Sequence, residues 1–194
     1  MSPSKLALPA LLLAAYAGTA LAKPVTYQCD PAHTHPSFAA DHMGGLSVWR
    51  GTFSKSSCTI VLDRARHTGT VNVTVDTASV DFGQAKLDED AQGPALFDVA
   101  KYPTATYQGT LEDFVHGKPT KVVGRLTLRG VTRPLTLTVR SFECKQIAMM
   151  HQYRCGADAV GHFQRDQYGM DFGKQMGFQM WVRLKIQVEG VRQG

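Results

Sequence analysis

The chain has 194 residues, 43% of them hydrophobic and 19% charged, with a formal net charge of +5. That length suits one domain. The basic residues are scattered, with short clusters at Arg64-Ala65-Arg66-His67 and at Arg125, Arg129 and Arg133 that lack interleaved aromatics, a pattern of solvated faces that sets nucleic-acid binding aside.

Met1 to Ala22, MSPSKLALPALLLAAYAGTALA, carries Lys5, then an apolar stretch from Leu6 to about Ala17, then the small-x-small ending Ala20-Leu21-Ala22. This reads as a secretory signal peptide, too short for a spanning helix. Cleavage after Ala22 leaves Lys23 to Gly194, one charge less basic, with no cysteine at the cut to carry a lipid. The expected location is the periplasm. No later segment offers 18 uninterrupted apolar residues, so no integral membrane helix is expected there.

The rest of the chain alternates with period two. Strands are expected near 27 to 42, 48 to 62, around Val71, Val73 and Val75, and near 104 to 111 and 155 to 165. LTLRGVTRPLTLTV reads as a hairpin that turns at Gly130 and sets Leu126, Leu128, Leu135, Leu137 and Val139 on one face. In FQMWVRLKIQVE, Phe178, Met180, Val182, Leu184, Ile186 and Val188 share a face, giving a final strand of about 40 Å. Gln84 to Gln92 is polar and helix-compatible, and with GPALFDVAKYP as far as Pro103 it makes a short helix and loop over one end of the sheet. About eight strands in one domain fit an all-β, eight-stranded antiparallel up-and-down barrel, whose closure removes exposed edges; a two-sheet sandwich is the competing fold.

Cys29, Cys58, Cys144 and Cys155 favour disulfides in an oxidising compartment. Three pairings exist. Cys29 with Cys58 and Cys144 with Cys155 are favoured, because each pair staples neighbouring expected strands.

Two segments invite a metal reading. In HTHPSFAADHMGG, His33 and His35 share one strand face, but Asp41 lies roughly 20 Å further along it. The plainer reading is hydrogen-bonded histidines near a strand start. Met149-Met150-His151 with His162 could suit copper(I), although a disulfide-tied loop with incidental methionines is the better account. No G-x-S-x-G, C-x-x-C or H-E-x-x-H occurs, and Asp88 and Asp90 sit in a polar helix where solvation explains them. No catalytic residue, metal or cofactor is assigned.

YQCDPAHTHPSFAADHMGGLSVWRGTF, VNVTVDTASVDFG, FDVAKYPTATYQGTL, GRLTLRGVTRPLTLTV, CGADAVGHFQRDQYGM and IQVEGV, in that order, resemble the YceI-like, polyisoprenoid-binding family across nearly all of the chain after residue 22. The resemblance implies a lipocalin-like extended barrel around an apolar interior that binds a polyisoprenoid, a prenyl quinone or a fatty-acid derivative, without catalysis. Its wall would use the large side chains Phe38, Trp49, Phe53, Phe97, Tyr102, Phe163, Tyr168 and Phe172, with Met43 and Met170 filling gaps. His42 and Arg165 would meet a polar head group at the mouth, unless Arg165 pairs with Asp166 or Asp171. Pro36 departs from the family pattern, as do Cys29 and Cys58, and Pro36 suggests a bend or an edge in the first strand. The expected partner is a small amphiphilic lipid, with transient membrane contact and a homodimer through a strand edge both compatible with the sequence. A metal- or haem-pathway accessory protein using His33, His35 or the Met149-Met150-His151 loop is the alternative function.

Overall fold

The structure is a computed structural model and describes residues 23–194. The expected leader, Met1 to Ala22, lies outside the described residues. The strands are β1 Val25–Cys29, β2 His35–His42, β3 Ser47–Phe53, β4 Ser56–Asp63, β5 Thr68–Asp76, β6 Val80–Asp81, β7 Thr104–Glu112, β8 Lys121–Leu128, β9 Val131–Ile147, β10 Gln152–Gln164 and β11 Trp181–Arg192. One α-helix, α1, spans Ala85–Gln92.

All pairings between these strands are antiparallel, in the order β1-β4-β5-β7-β8-β9-β10-β11, and β11 returns to β1, closing an eight-stranded barrel. The all-β barrel is therefore the observed fold, and the sandwich is not. A three-stranded wing, β2-β3-β6, extends the wall beyond β11 at the upper end. It arises because the expected strands at 27 to 42 and 48 to 62 are each interrupted. Asp30 accepts from the Ala32 amide and starts a 3-10 turn at Pro31–His33, while Ser54 and Lys55 separate β3 from β4. Below the breaks β1 pairs with β4, and above them β2 pairs with β3. Pro36 sits one residue short of the β2–β3 pairing, where no β3 partner needs its missing N–H.

The hairpin at 126 to 139 turns through Arg129 and Gly130, both at positive φ (50° and 73°), with Leu128 opposite Val131. Two positive-φ residues are what the right-handed strand twist demands of a two-residue turn. Another close approach shapes the interior. Gly109 and Gly124 face each other across β7 and β8, and the Tyr107 ring lies across the space that a side chain on Gly124 would fill. The Tyr107 hydroxyl donates to the carbonyls of Val122 and Leu135, each at 3.1 Å, and burial pushes its pKa up to about 12.

The final strand starts at Trp181, not Phe178, because Arg165 N bonds Met180 O and Asp41 takes the Gln179 amide, which holds that segment as a loop. The two disulfides are Cys29–Cys58 and Cys144–Cys155, with Cα–Cα distances of 5.1 and 4.0 Å.

At the lower end Arg154 donates to Asp30 at 2.7 Å and to Glu189 at 3.3 Å. His33 and Arg154, in that order, hold the Asp30 carboxyl at a pKa of about 2, below its ordinary 3.8. A carboxylate with a lowered folded pKa contributes stability above the unfolded value and loses it as pH falls through the folded one. Denaturant titrations are therefore expected to show Asp30→Asn less stable by about 1 to 2 kcal/mol at pH 6, with the gap closing between pH 4 and pH 2. A gap that persists unchanged at pH 2 would contradict this assignment.

Candidate ligand cavity

The inward residues of the strands leave the barrel hollow. Val182, Leu184, Ile186 and Val188 of β11 all line one cavity, so it follows that strand for about 20 Å. Its volume is about 840 Å³, towards the upper end of small-molecule sites, which run from roughly 300 to 1,000 Å³. Aliphatic staves such as Val71, Val73, Leu135 and Leu137 form the walls. Alternation places them there, since their neighbours Asn72, Thr136 and Thr138 face out.

The upper part is aromatic. Phe38 lies 5.5 Å from Phe53, 5.4 Å from Phe82 and 6.4 Å from Phe97, the latter two edge-on. His42 stacks on Trp49 at 4.0 Å and meets the edge of Phe178 at 5.6 Å. Phe82, Leu87, Leu96 and Phe97 come from the segment between β6 and β7, which covers the gap between the wing and the barrel. Arg129, in the hairpin turn, anchors that cover by donating to the Pro94 carbonyl at 3.0 Å and to the Leu96 carbonyl. Within α1, Asp88 Oδ1 accepts from the Phe82 amide at 2.7 Å, so Asp88 orders the cover and is not simply solvated. Asp90 pairs with Lys86. The cavity reaches the surface between α1 and the β10–β11 connection, where exposed Glu89 and half-exposed Phe172 both line it.

Of the residues expected in the wall, Phe38, His42, Trp49, Phe53, Phe97, Phe163, Arg165, Met170 and Phe172 line the cavity. Three do not. Tyr168, 1% exposed, packs behind the wall with Ala105, Leu128 and Met170. Tyr102 lies outside over Gly130, beneath the Arg129 and Lys101 cations. Met43 occupies the β2–β3 turn at φ 53° and is 56% exposed. All three fall outside strands, where alternation gives no inward side. Phe82, Leu87 and Phe178 were missed; Phe178 belongs to the inward set of the final alternating run and could have been found there.

Arg165 is buried at 7% exposure. Among the described residues it lacks the expected ion pair with Asp166 or Asp171; its guanidinium donates to the carbonyls of Met170 at 2.6 Å and Phe172 at 2.7 Å. It thus pins the connection Gly169 to Met180 down over the cavity. The other end of that connection is tied by Asp41, whose Oδ2 accepts from Gln179 N at 2.9 Å and Gly44 N at 3.0 Å.

The metal candidates are dispersed. His33 Nδ1 bonds Asp30 Oδ2 at 2.9 Å, and His35 Nε2 meets the Ala32 carbonyl at 3.2 Å. His162 stands eleven residues along β10 from His151, roughly 35 Å by strand rise, so the two cannot share an ion with Met149 and Met150. Among the described residues no three His, Cys, Asp or Glu side chains converge in a metal-binding group.

Comparison with known proteins agrees with this architecture. The YceI-like domain model matches residues 27–190. A UPF0312 protein of Pectobacterium atrosepticum is 32% identical over 195 residues, covering 97% of this chain and 96% of that protein. A UPF0312 protein of Yersinia pestis is 31% identical over 183 residues, covering 91% and 90%. Among solved structures, BcnA of Burkholderia cenocepacia superposes with a TM-score of 0.65 at 22% identity, covering 83% of this chain and 98% of that one. A polyisoprenoid binding domain from Saccharophagus degradans, implicated in plant cell wall breakdown, gives a TM-score of 0.62 at 15% identity, covering 85% and 97%. At these identities the two structures speak for the fold, whereas the family match and the closer relatives establish kinship: the chain belongs to the YceI-like family.

Proposed function

We propose that the protein is a non-enzymatic periplasmic carrier or scavenger of one long-chain amphiphile, a polyisoprenoid, prenyl quinone or fatty-acid derivative, held in the barrel interior. The observation that carries this reading is the cavity of about 840 Å³ whose walls are almost wholly hydrocarbon. A polyprenyl or acyl chain is poorly soluble, and each methylene moved from water into such a lining contributes about 0.8 kcal/mol. A chain several methylenes long therefore binds without any reactive group. The polyisoprenoid binding domain of S. degradans, which shares the fold, supports the choice of cargo. Two disulfides suit an oxidising compartment outside the cytoplasm, and among the described residues no helix is long and apolar enough to cross a membrane. Exposed Met43, Leu46, Phe172 and Met176 sit on the two loops at the open end and support brief contact with a lipid surface during loading.

Native mass spectrometry of protein purified from its own periplasm without detergent tests the reading. The expected result is one polyprenyl, quinone or acyl mass per chain, released on denaturation. Protein that arrives empty of lipid and loaded with stoichiometric metal would overturn it.

A further inference from the structure

The charge around the cavity contrasts with that of the whole protein. The chain is net basic at +5, yet among the described residues the Asp, Glu, Lys and Arg side chains lining the cavity are Asp41, Glu89, Asp90 and Arg165; His42, which also lines it, is stacked on Trp49 with Nδ1 at 3.3 Å from Ser47 Oγ. Arg165 is spent on the loop carbonyls of Met170 and Phe172, and the carboxylates of Asp166, Asp171 and Asp41 offset its charge. Glu89 and Asp90 hold Lys86, which does not line the cavity. Tyr107 is likewise committed to two backbone carbonyls. Among the described residues no lysine lines the cavity, and its one arginine is bound to backbone carbonyls and not turned to a head group.

Among the described residues three buried side-chain atoms lack a hydrogen-bond partner, Asp41 Oδ1, Ser56 Oγ and Asp166 Oδ1, and of these residues Asp41 alone lines the cavity. Asp41 is 6% exposed, its Oδ2 accepts two backbone amides, and its Oδ1 is enclosed with no hydrogen-bond partner. A buried carboxylate oxygen left without a donor is costly, and a donor supplied by a ligand would relieve that cost. A hydroxyl would do so through a charge-assisted hydrogen bond. An anionic head group would instead set like charges together in a poorly solvated site.

Resting on the carrier reading, we propose that Asp41 is a specificity-determining residue that selects cargo with a neutral, hydrogen-bond-donating head group, an alcohol or phenol, and rejects anionic heads. In this proposal Asp41, and not Arg165, is the residue that meets the polar head group.

The test uses delipidated protein titrated at pH 8 with oleyl alcohol and with oleic acid, delivered from cyclodextrin so that the chain is the same and only the head differs. Wild type is expected to prefer the alcohol by about tenfold or more. Asp41→Asn keeps an oxygen for the Gly44 and Gln179 amides and replaces the orphan acceptor with a donor. It is expected to bring the two affinities within about threefold, or to reverse them. Glu143→Gln, on the exposed outer face of β9 and outside the cavity lining, is expected to leave the ratio unchanged. Equal wild-type affinities, or a ratio that Asp41→Asn leaves intact, would overturn the selectivity while sparing the carrier reading. If wild type binds neither lipid, the carrier reading itself falls. The wild-type ratio is decisive even if the variant does not fold.

Discussion

Plugging the barrel with two phenyl rings is expected to weaken cargo binding by roughly 100-fold and leave the fold standing. Ala157 and Ala159 both line the cavity from β10, two residues apart on the inward face. Ala159 lies opposite Val139 on β9 and Ile186 on β11, so it faces the middle of the tunnel. In Ala157→Phe/Ala159→Phe the rings occupy space that is open in the wild type, so the usual overpacking cost of about 1 to 3 kcal/mol is largely avoided. Phenylalanine serves better than tryptophan because it buries no N–H in need of a partner. Excluding about four methylenes of cargo removes about 3 kcal/mol, a loss of roughly 100-fold in affinity. Val123→Trp, on the partly exposed outer face of β8, is the control and is expected to keep the wild-type load. The measurements are lipid per chain by native mass spectrometry and Tm of the delipidated protein. A folded double variant that still carries its lipid would move the binding site out of the barrel.

That experiment draws on a face assignment already legible in the sequence. Alternation in β5, β8, β9 and β11 identified the inward residues because antiparallel strands with one buried face leave a period-two record. It stayed correct for Phe178 and Met180 even though the segment is a loop, since loop contacts keep both side chains in the wall or core. The breaks within the first two ribbons were harder. Asp30-Pro31 is a turn signal, but it is set within an alternating run, and Ser54-Lys55 carries no glycine or proline at all. What those breaks create, the wing and its cover, depends on which strands pair on either side of each break, and a single chain's pattern does not encode that.

The site was legible to the same extent and failed for the same reason. Every expected aromatic in a strand lines the cavity, whereas of the residues set in connections Phe97, Phe172 and Met170 line it and Tyr102, Tyr168 and Met43 do not. Arg165 was read at the mouth of the cavity, meeting a head group or an acid; it lines the cavity, and the carbonyls it binds are presented by a loop whose course is fixed by Asp41 from another strand. Asp41 itself was read as sharing a strand face with His33 and His35. Its burial comes from the Gly44 turn and the Gln179 segment closing over it, 138 residues apart in sequence in the latter case.

The second large effect is expected at the seam of the barrel. β1 closes the barrel with only five residues, and it meets β11 through three residue pairs, Tyr27 with Arg192, Gln28 with Val191 and Cys29 with Gly190. The Cys29–Cys58 disulfide ties this short strand to β4 across a sequence separation of 29, while Cys144–Cys155 spans 11 between two strands that already share a long ladder. Loop-closure entropy makes the first worth about 3.5 kcal/mol and the second slightly under 3 kcal/mol. Cys29→Ser/Cys58→Ser should therefore lower Tm by about 7 to 14 °C, somewhat more than Cys144→Ser/Cys155→Ser. The sharper distinction is local. With the first staple gone, β1 amides are expected to lose hydrogen-exchange protection ahead of the rest of the sheet, because few contacts hold the strand, and cargo should leave faster through the opened seam. With the second gone, β9 and β10 should stay protected and cargo retention should match wild type once both are compared at equal stability. Equal retention in the two variants would mean that the seam plays no part in holding the ligand, and that the disulfide at β1 acts on the unfolded chain alone.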